Sequence, residues 1–371
     1  MPELMIHRTQ EKWGLWLVWK LALQVGEDTD ASRVWIVEKS LRIGSAKVRF
    51  GGIAGVGTRE GYRLYGYARR VMEASTDFMI ERGYEMGLLY GISNFYHRFG
   101  YGVVFPVSRL FVKTEALLRV RGSLRVRSMK KTDALPVQRL YNRLNANRTA
   151  TVVRPTNWTY FEMSEGFQKP GRSVVADDVQ GRVLGYATWN VREGQFLVSE
   201  LGGIGLAAFG SLARAIGQRA KRAGINQVIF DLPADDAFVD FCVPLGCEQR
   251  IRYPHNAEAM GRIIHLRPLM ERLVPELSKR VAQVTGRVSI GIETDIGSVG
   301  LAIDRRGVRV IRGGVLKVKI PQMILTQMVM GYRGVSEVVN DPGVHIPQKA
   351  QPVLDALFPK TGAYMWWSDR F

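Results

Sequence analysis

One stretch, Val48 to Tyr101, constrains the fold more than any other. It opens with a β-type run, Val48 to Val56, whose tail Gly51-Gly52-Ile53-Ala54-Gly55-Val56 is small and apolar. A turn over Gly57 to Tyr62 leads into Arg63-Leu64-Tyr65-Gly66-Tyr67-Ala68 and then into a helical pattern. Ala68, Val71, Met72, Ser75, Phe78 and Met79 fall on one face of that helix, and Arg69, Arg70, Glu73 and Asp77 on the other. Gly83 stands where a helix C-cap glycine belongs. Met86 to Tyr90 reads as the next strand, and Asn94-Phe95-Tyr96-His97-Arg98-Phe99-Gly100-Tyr101 closes the unit.

The segment Arg63 to Ala68 has the physics of an anion site. A glycine-bearing loop that ends in a helix start presents unpaired N–H groups and the positive end of the helix dipole. Gly66 lets the backbone approach a ligand closely. Arg63 adds a cation that phosphate satisfies. On its own, the same segment also fits a plain strand-turn-helix with an incidental arginine.

The surroundings decide between these. Strand, Arg-x-x-Gly-x-Ala, amphipathic helix, strand and Asn-x-Tyr-x-x-x-Gly-Tyr resemble the acetyl-coenzyme A signature of the GNAT acetyltransferases. Val56-Gly57-Thr58, Tyr62-Arg63 and Phe95 to Gly102 narrow the resemblance to the enhanced-intracellular-survival (Eis-like) acetyltransferases, and it continues to the C-terminus. It implies an α+β architecture. Two tandem GNAT-like domains, each a mixed sheet flanked by helices and the second degenerate, would span 1–118 and 119–265. A sterol-carrier-like α+β domain would span 266–371. It also implies a homohexamer.

Composition bounds the alternatives. With 371 residues the chain can hold two or three domains, and 46% hydrophobic with 23% charged residues is ordinary for a globular protein. Cys242 and Cys247 are the two cysteines, so no disulfide framework or zinc site is expected and a reducing cytoplasm is the simplest setting. The net charge of +18 argues for an acidic or nucleic-acid partner. Its basic residues are spread, however, as in Arg119, Arg121, Arg125 and Arg127 and in Lys317 and Lys319. No nucleic-acid motif accompanies them, so part of the charge is read as drawing in an anionic coenzyme. The longest apolar run, Trp13 to Val25, is interrupted by Lys20 and too short to span a bilayer. No membrane anchoring is expected.

Along the chain, Trp13 to Leu23 reads as an apolar helix, followed by Val34 to Glu38 and Leu41 to Ile43 as two short strands. An Eis-like N-terminus is longer here, so the acceptor pocket is the least determined part. In the second domain a helix begins at Thr132-Asp133, Gly181 to Ala187 and Phe196 to Leu201 are strands, Leu206 to Arg222 is a helix and Val228 to Leu232 a strand. Its turn, Gly202 to Gly205, lacks the arginine of the first domain and reads as structural. In the third domain Leu269 to Val284, Pro321 to Tyr332 and Ala350 to Leu357 are helices around three antiparallel strands.

An amine acetyltransferase must deprotonate an ammonium and protonate a thiolate. The GNAT base usually sits on the strand before the phosphate loop, and residues 48 to 56 contain no acid. The chain ends Tyr364-Met365-Trp366-Trp367-Ser368-Asp369-Arg370-Phe371, too aromatic to be left in water. By resemblance, the terminal Phe371 is buried in the active site and its α-carboxylate is the base; Asp369 and His97 are the alternatives. Packing of the third domain alone would also explain the aromatics. Tyr96 is the general acid by the same resemblance. Coenzyme contacts carried over are Ala54, Val56, Arg63, Leu64, Gly66, Tyr67 and Ala68, with Leu64, Tyr65 and Tyr67 bulkier than the family pattern. The cosubstrate is acetyl-coenzyme A, no metal is expected, and the acceptor is a small primary amine such as an aminoglycoside, a polyamine or a Lys side chain. The competing reading is an inactive coenzyme-binding scaffold of the same fold.

Overall fold

A computed structural model describes residues 4–155, 171–283 and 286–371. Four antiparallel strands lead: β1 (Leu4–Trp13), β2 (Trp16–Val25), β3 (Asp28–Ile43) and β4 (Ala46–Thr58). Helix α1 (Tyr67–Glu81) crosses over to β5 (Met86–Gly91), which runs parallel to β4 with Phe50 opposite Met86 and Ile53 opposite Leu89. A short β6 (Gly102–Val103) follows.

The second unit comprises β7 (Val107–Lys113), α2 (Thr114–Arg119), β8 (Arg125–Ser128), α3 (Ala134–Leu144), β9 (Ser173–Asp177), β10 (Val183–Arg192), β11 (Gln195–Gly203), α4 (Gly205–Arg222), β12 (Gln227–Asp231), α5 (Ala237–Cys242) and β13 (Cys247–Arg252). Then come β14 (Glu258–Ile263), α6 (Leu266–Arg280), β15 (Val288–Thr294), β16 (Gly297–Asp304), β17 (Gly307–Ile311), β18 (Leu316–Lys319), α7 (Gln322–Val329), α8 (Val335–Val338) and α9 (Gln351–Leu357). Helices α4 and α6 lie where the 3.6-residue pattern puts them. The last residue expected in α6, Val284, lies outside the described residues.

The strands form three sheets, ordered β1-β2-β3-β4-β5-β14-β6, β13-β7-β12-β11-β10-β9-β8 and β17-β16-β15-β18. The sheets do not divide at 118 and 265. Strand β7 already pairs with β12 and β13 in the second sheet, and β14 returns to the first, between β5 and β6. These pairings are long-range, and local periodicity does not encode them.

The expected helix over Trp13 to Leu23 is instead a hairpin, with Trp13 opposite Trp16 and Gly14 in the left-handed region at φ 58°. A two-residue turn of this kind needs positive φ, which glycine supplies. An apolar run buried on both faces carries no period that separates helix from strand. Likewise the two short strands expected at Val34 and Leu41 are parts of one strand, β3. The expected cap at Asp133 is part of a 3-10 turn ahead of α3, where its carboxylate accepts the Lys130 N–H at 2.7 Å and pairs with Arg127. Arg125, largely exposed, and Arg127 both pair with the buried Asp177, at 2.9 and 2.8 Å.

The apolar core falls into three clusters. One lies between α1 and the first sheet and includes Ile36, Val71, Met79, Leu89 and Tyr96. A second lies within the second unit. The third joins the other face of the first sheet, through Val48, Phe50 and Leu88, to α6, α7 and the third sheet.

Candidate active site

The site forms where β4 and β5 part. Their parallel pairing ends at Ile53 and Leu89. Beyond it, β4 pairs with β3 alone, out to Gly57 opposite Arg33 and Thr58 opposite Ser32. The β5-facing backbone of Ala54 to Val56 is therefore left without a strand partner, which is what an extended ligand inserted in the gap requires. A bulge sharpens the parting. The β3 register shifts between Arg33 and Trp35, and Gly55 takes φ 53°. A Cβ there would lie 2.5 Å from the Trp35 ring, so both conformation and space call for glycine.

At the mouth of the gap the chain passes through a 3-10 turn, Glu60–Tyr62, and reaches α1 with Gly66 as N-cap at φ 78°. No side chain caps that helix start, so its first N–H groups remain available to an anion. An open cleft of about 500 Å³ lies over it, bordered by Arg63, Gly66, Ala68, Arg69, Phe95 and Arg98. Tyr67 is half-buried against the α1 core and carries Tyr65 stacked on it at 5.8 Å. Leu64 and Tyr65 are exposed; Leu64 and Tyr67 border the cleft, and Tyr65 stands outside its lining. Three guanidiniums and a bare helix start fit a phosphate-bearing ligand. Sequence reasoning found Arg63 but missed Arg69 and Arg98. The helical period puts Arg69 on the polar face of α1 and Arg98 in the segment that closes the unit, and only the fold brings both to the cleft.

Tyr96 and Phe371 lie on opposite faces of the first sheet at this gap. Strand side chains alternate, so Gly87, Leu89 and Gly91 face α1. A Cβ on Gly87 would meet Met79, and one on Gly91 would lie 2.6 Å from the Tyr96 ring. On the other face, a Cβ on Gly52 would lie 2.7 Å from the Phe371 ring, which packs on Phe50 at 5.8 Å and Tyr90 at 6.1 Å. A chain threaded between β4 and β5 thus passes from the Tyr96 side to the Phe371 side. Tyr96 opens the 3-10 turn Tyr96–Phe99, set edge-on to Phe95 at 4.8 Å. Burial pushes its phenol above the usual value, so it is protonated at neutral pH, the state a general acid needs.

The terminal segment is held by two cores at once. Tyr364 and Trp366 enter the core of the second unit, while Ala363 and Met365 enter the core shared by the first and third sheets. This alternation is that of an extended strand. The Tyr364 N–H donates to the Thr149 carbonyl at 3.0 Å, and the Trp366 indole N–H donates to Asn145 Oδ1 at 3.0 Å.

Asp369 is fully buried and is not a free carboxylate. Arg154 donates to both its oxygens, at 2.9 and 3.0 Å, and the Tyr141 hydroxyl donates to it at 2.9 Å. Arg154 in turn donates twice to the buried Glu200, at 2.6 and 2.8 Å, which also accepts from Tyr186 at 2.7 Å. As an alternative base, Asp369 is therefore set aside; it anchors the chain end.

Lys39 supports the terminal residues from below. Its Nζ donates to the Asp369 carbonyl at 2.6 Å and sits 4.8 Å from the Trp16 ring and 5.4 Å from that of Phe371. Burial lowers its pKa to about 8. Arg370 lies between the rings of Tyr90 and Trp367, 4.6 Å from each centroid.

Residues 24–104 match the family model for the acetyltransferase (GNAT) domain. No curated protein matches the sequence. Among solved structures, the chain is similar to a probable N-acyltransferase from Enterococcus faecalis, at 18% identity over 95% of this chain and 89% of that one, with TM-score 0.77. It is similar to a GCN5-related N-acetyltransferase from Kribbella flavida at 17% identity over 95% and 87%, with TM-score 0.73. Eis1 from Mycobacterium abscessus superposes with TM-score 0.65 at 16% identity, over 95% of this chain and 91% of that one. The chain therefore carries a GNAT acetyltransferase domain within a fold that these proteins share over nearly its full length.

Proposed function

We propose that the protein moves an acetyl group from acetyl-coenzyme A directly to a small primary amine, with Tyr96 as general acid and the α-carboxylate of Phe371 as general base. The observation that carries this reading is the seating of Phe371 on Gly52 where β4 and β5 part, across the sheet from Tyr96. Arg63, Arg69, Arg98 and the α1 start would hold the coenzyme phosphates, and the backbone of Ala54 and Val56 would pair with its extended arm. The coenzyme supplies an activated thioester. The Phe371 carboxylate takes a proton from the acceptor ammonium, freeing the lone pair that forms the new C–N bond. Tyr96 gives its proton to the sulfur as the C–S bond breaks, and the second proton shed by the nitrogen passes to solvent, from which Tyr96 is reprotonated. The cleft stays open at about 500 Å³ with Tyr65 outside its lining, which favours turnover over an inactive coenzyme-binding scaffold.

We carry the same reading to the third unit as a sterol-carrier-like domain serving as structural support, and to a cytoplasmic homohexamer. The described helices include none long and apolar enough to cross a membrane. Thiol release from acetyl-coenzyme A across a panel of amines tests the activity. Transfer that survives both Tyr96→Phe and deletion of Phe371 would overturn the assigned roles.

A further inference from the structure

Lined by Tyr90, on which the Phe371 ring packs, and by Arg370, a cavity of about 220 Å³ opens between β14 of the first sheet and β7 and β12 of the second. It lies below the roughly 300–1,000 Å³ of sites that take drug-sized ligands, so it suits a compact acceptor. Its charged lining is Arg109, Asp231, Arg252, Glu258 and Arg370. Two of these arginines are already answered. Arg109 pairs with Asp231 at 3.0 Å and Arg252 with Glu258 at 2.7 Å.

Arg370 is different. It is half-buried between Tyr90 and Trp367 and forms no ion pair among the described residues, and its Nε is buried without a hydrogen-bond partner. A confined guanidinium with an open Nε–H suits a carboxylate or phosphate. The cavity therefore sets three arginines against two carboxylates, and Arg370, which feels Asp231 and Glu258 across the cavity, is the one without a direct ion pair among the described residues. A polycationic acceptor would find no free side-chain carboxylate in this lining, because Asp231 and Glu258 are already paired.

We propose that the acceptor is a small amine carrying its own anionic group, an amino-acid-like zwitterion, whose carboxylate docks on Arg370 while its ammonium faces the Phe371 carboxylate. Adjacent residues thus receive the two ends of one molecule: the cation's side chain takes the anion, and the chain end takes the proton. This rests on the transferase reading above and names the substrate class of the same site. The chemistry is unchanged from that reading.

The test compares matched acceptors, β-alanine against its amide and against spermidine, by thiol release with the full-length protein. The expected result is a kcat/KM at least tenfold higher for β-alanine than for its amide. Arg370→Met removes that preference through KM with the acetyl-coenzyme A thermal shift retained, and Arg370→Lys restores part of it. Preference for the amide or spermidine in the wild-type protein overturns the proposal and leaves the transferase reading standing. Equal loss of all acceptors in Arg370→Met, unrelieved by Arg370→Lys, overturns it too, by making Arg370 structural. Turnover of none of the three, nor of any amine in the wider panel, overturns the transferase reading itself.

Discussion

Gly52 and Phe371 occupy one contact: a Cβ added to the strand glycine would lie 2.7 Å from Cδ2 and from Cε2 of the aromatic ring. The glycine is needed for what it omits. Gly52→Leu pushes the ring off β4 and carries the terminal carboxylate with it. A misplacement of about 1 Å near reacting atoms costs on the order of 100-fold in rate. Gly52→Leu is therefore expected to lower kcat by about that factor while thermal stabilisation by acetyl-coenzyme A persists, since the phosphate cleft lies on α1. Unchanged kcat would remove Phe371 from the chemistry.

Replacing Tyr96 by Phe removes the proposed acid and leaves the ring packing against Phe95. General acid catalysis contributes about 10²–10⁴-fold, and kcat is expected to fall within that range with little change in KM for the acceptor. The pH profile gives a second check. Burial raises the Tyr96 pKa, and the acid works only when protonated. The alkaline limb of kcat should therefore lie above about 10, the ordinary phenol value, and vanish in Tyr96→Phe.

Arg98 and Arg69 join Arg63 at the cleft. Charge-assisted hydrogen bonds contribute about 1.5–3 kcal/mol each. Arg63→Ala and Arg98→Ala should each raise KM for acetyl-coenzyme A by about 10- to 100-fold, with kcat nearly kept. Dephospho-coenzyme thioesters bound equally by wild-type and variants would show which arginine meets which phosphate.

Asp369 has no exposed surface and is held by Arg154 and Tyr141. Removing one member of a buried ion pair leaves an unanswered charge and costs about 3–5 kcal/mol. Asp369→Ala should lower stability by that amount in urea denaturation. It should also abolish transfer, because the chain end loses its anchor. Full activity with native stability would contradict the network.

Lys39 gives a pH signature of its own. Its folded pKa of about 8 lies below the unfolded value of about 10.4, so between these values the unfolded chain binds more protons. Stability therefore rises with pH across that window, and the cost of charging buried Lys39 is carried in full below about 8. Lys39→Met should flatten this rise in unfolding free energy measured from pH 7 to 11. A slope equal to wild type would place the titrating group elsewhere.

Local signals were legible where local forces decide. The helix from Tyr67, Gly83 after it and the strand from Met86 follow from period and capping, and Tyr364 and Trp366 of the aromatic tail are buried as its composition requires, whereas Phe371 is half-buried and Trp367 exposed. The hairpin of β1 and β2 was not legible, because Trp16 to Val25 is covered on both faces and its apolar run lacks a period. Nor was the exchange of β7 and β14 between sheets, whose partners are distant in sequence. The site followed the same rule. Arg63, Gly66 and Ala68 declare themselves by spacing. Arg154 and Glu200 answer Asp369 across long loops, and Arg69 and Arg98 are two cations among 52 basic residues.

The place of β14 bears on how the protein must be made. Residues 258–263 fill the position between β5 and β6, so a chain emerging from the ribosome has no complete first sheet until they arrive. Until then β5 offers an open apolar edge, the template on which strands of other chains add. The fragment that matches the acetyltransferase domain, residues 24–104, would share that fate if produced alone. Catalytic competence is thus a property of finished synthesis, and the second unit acts as the tether that delivers the missing strand.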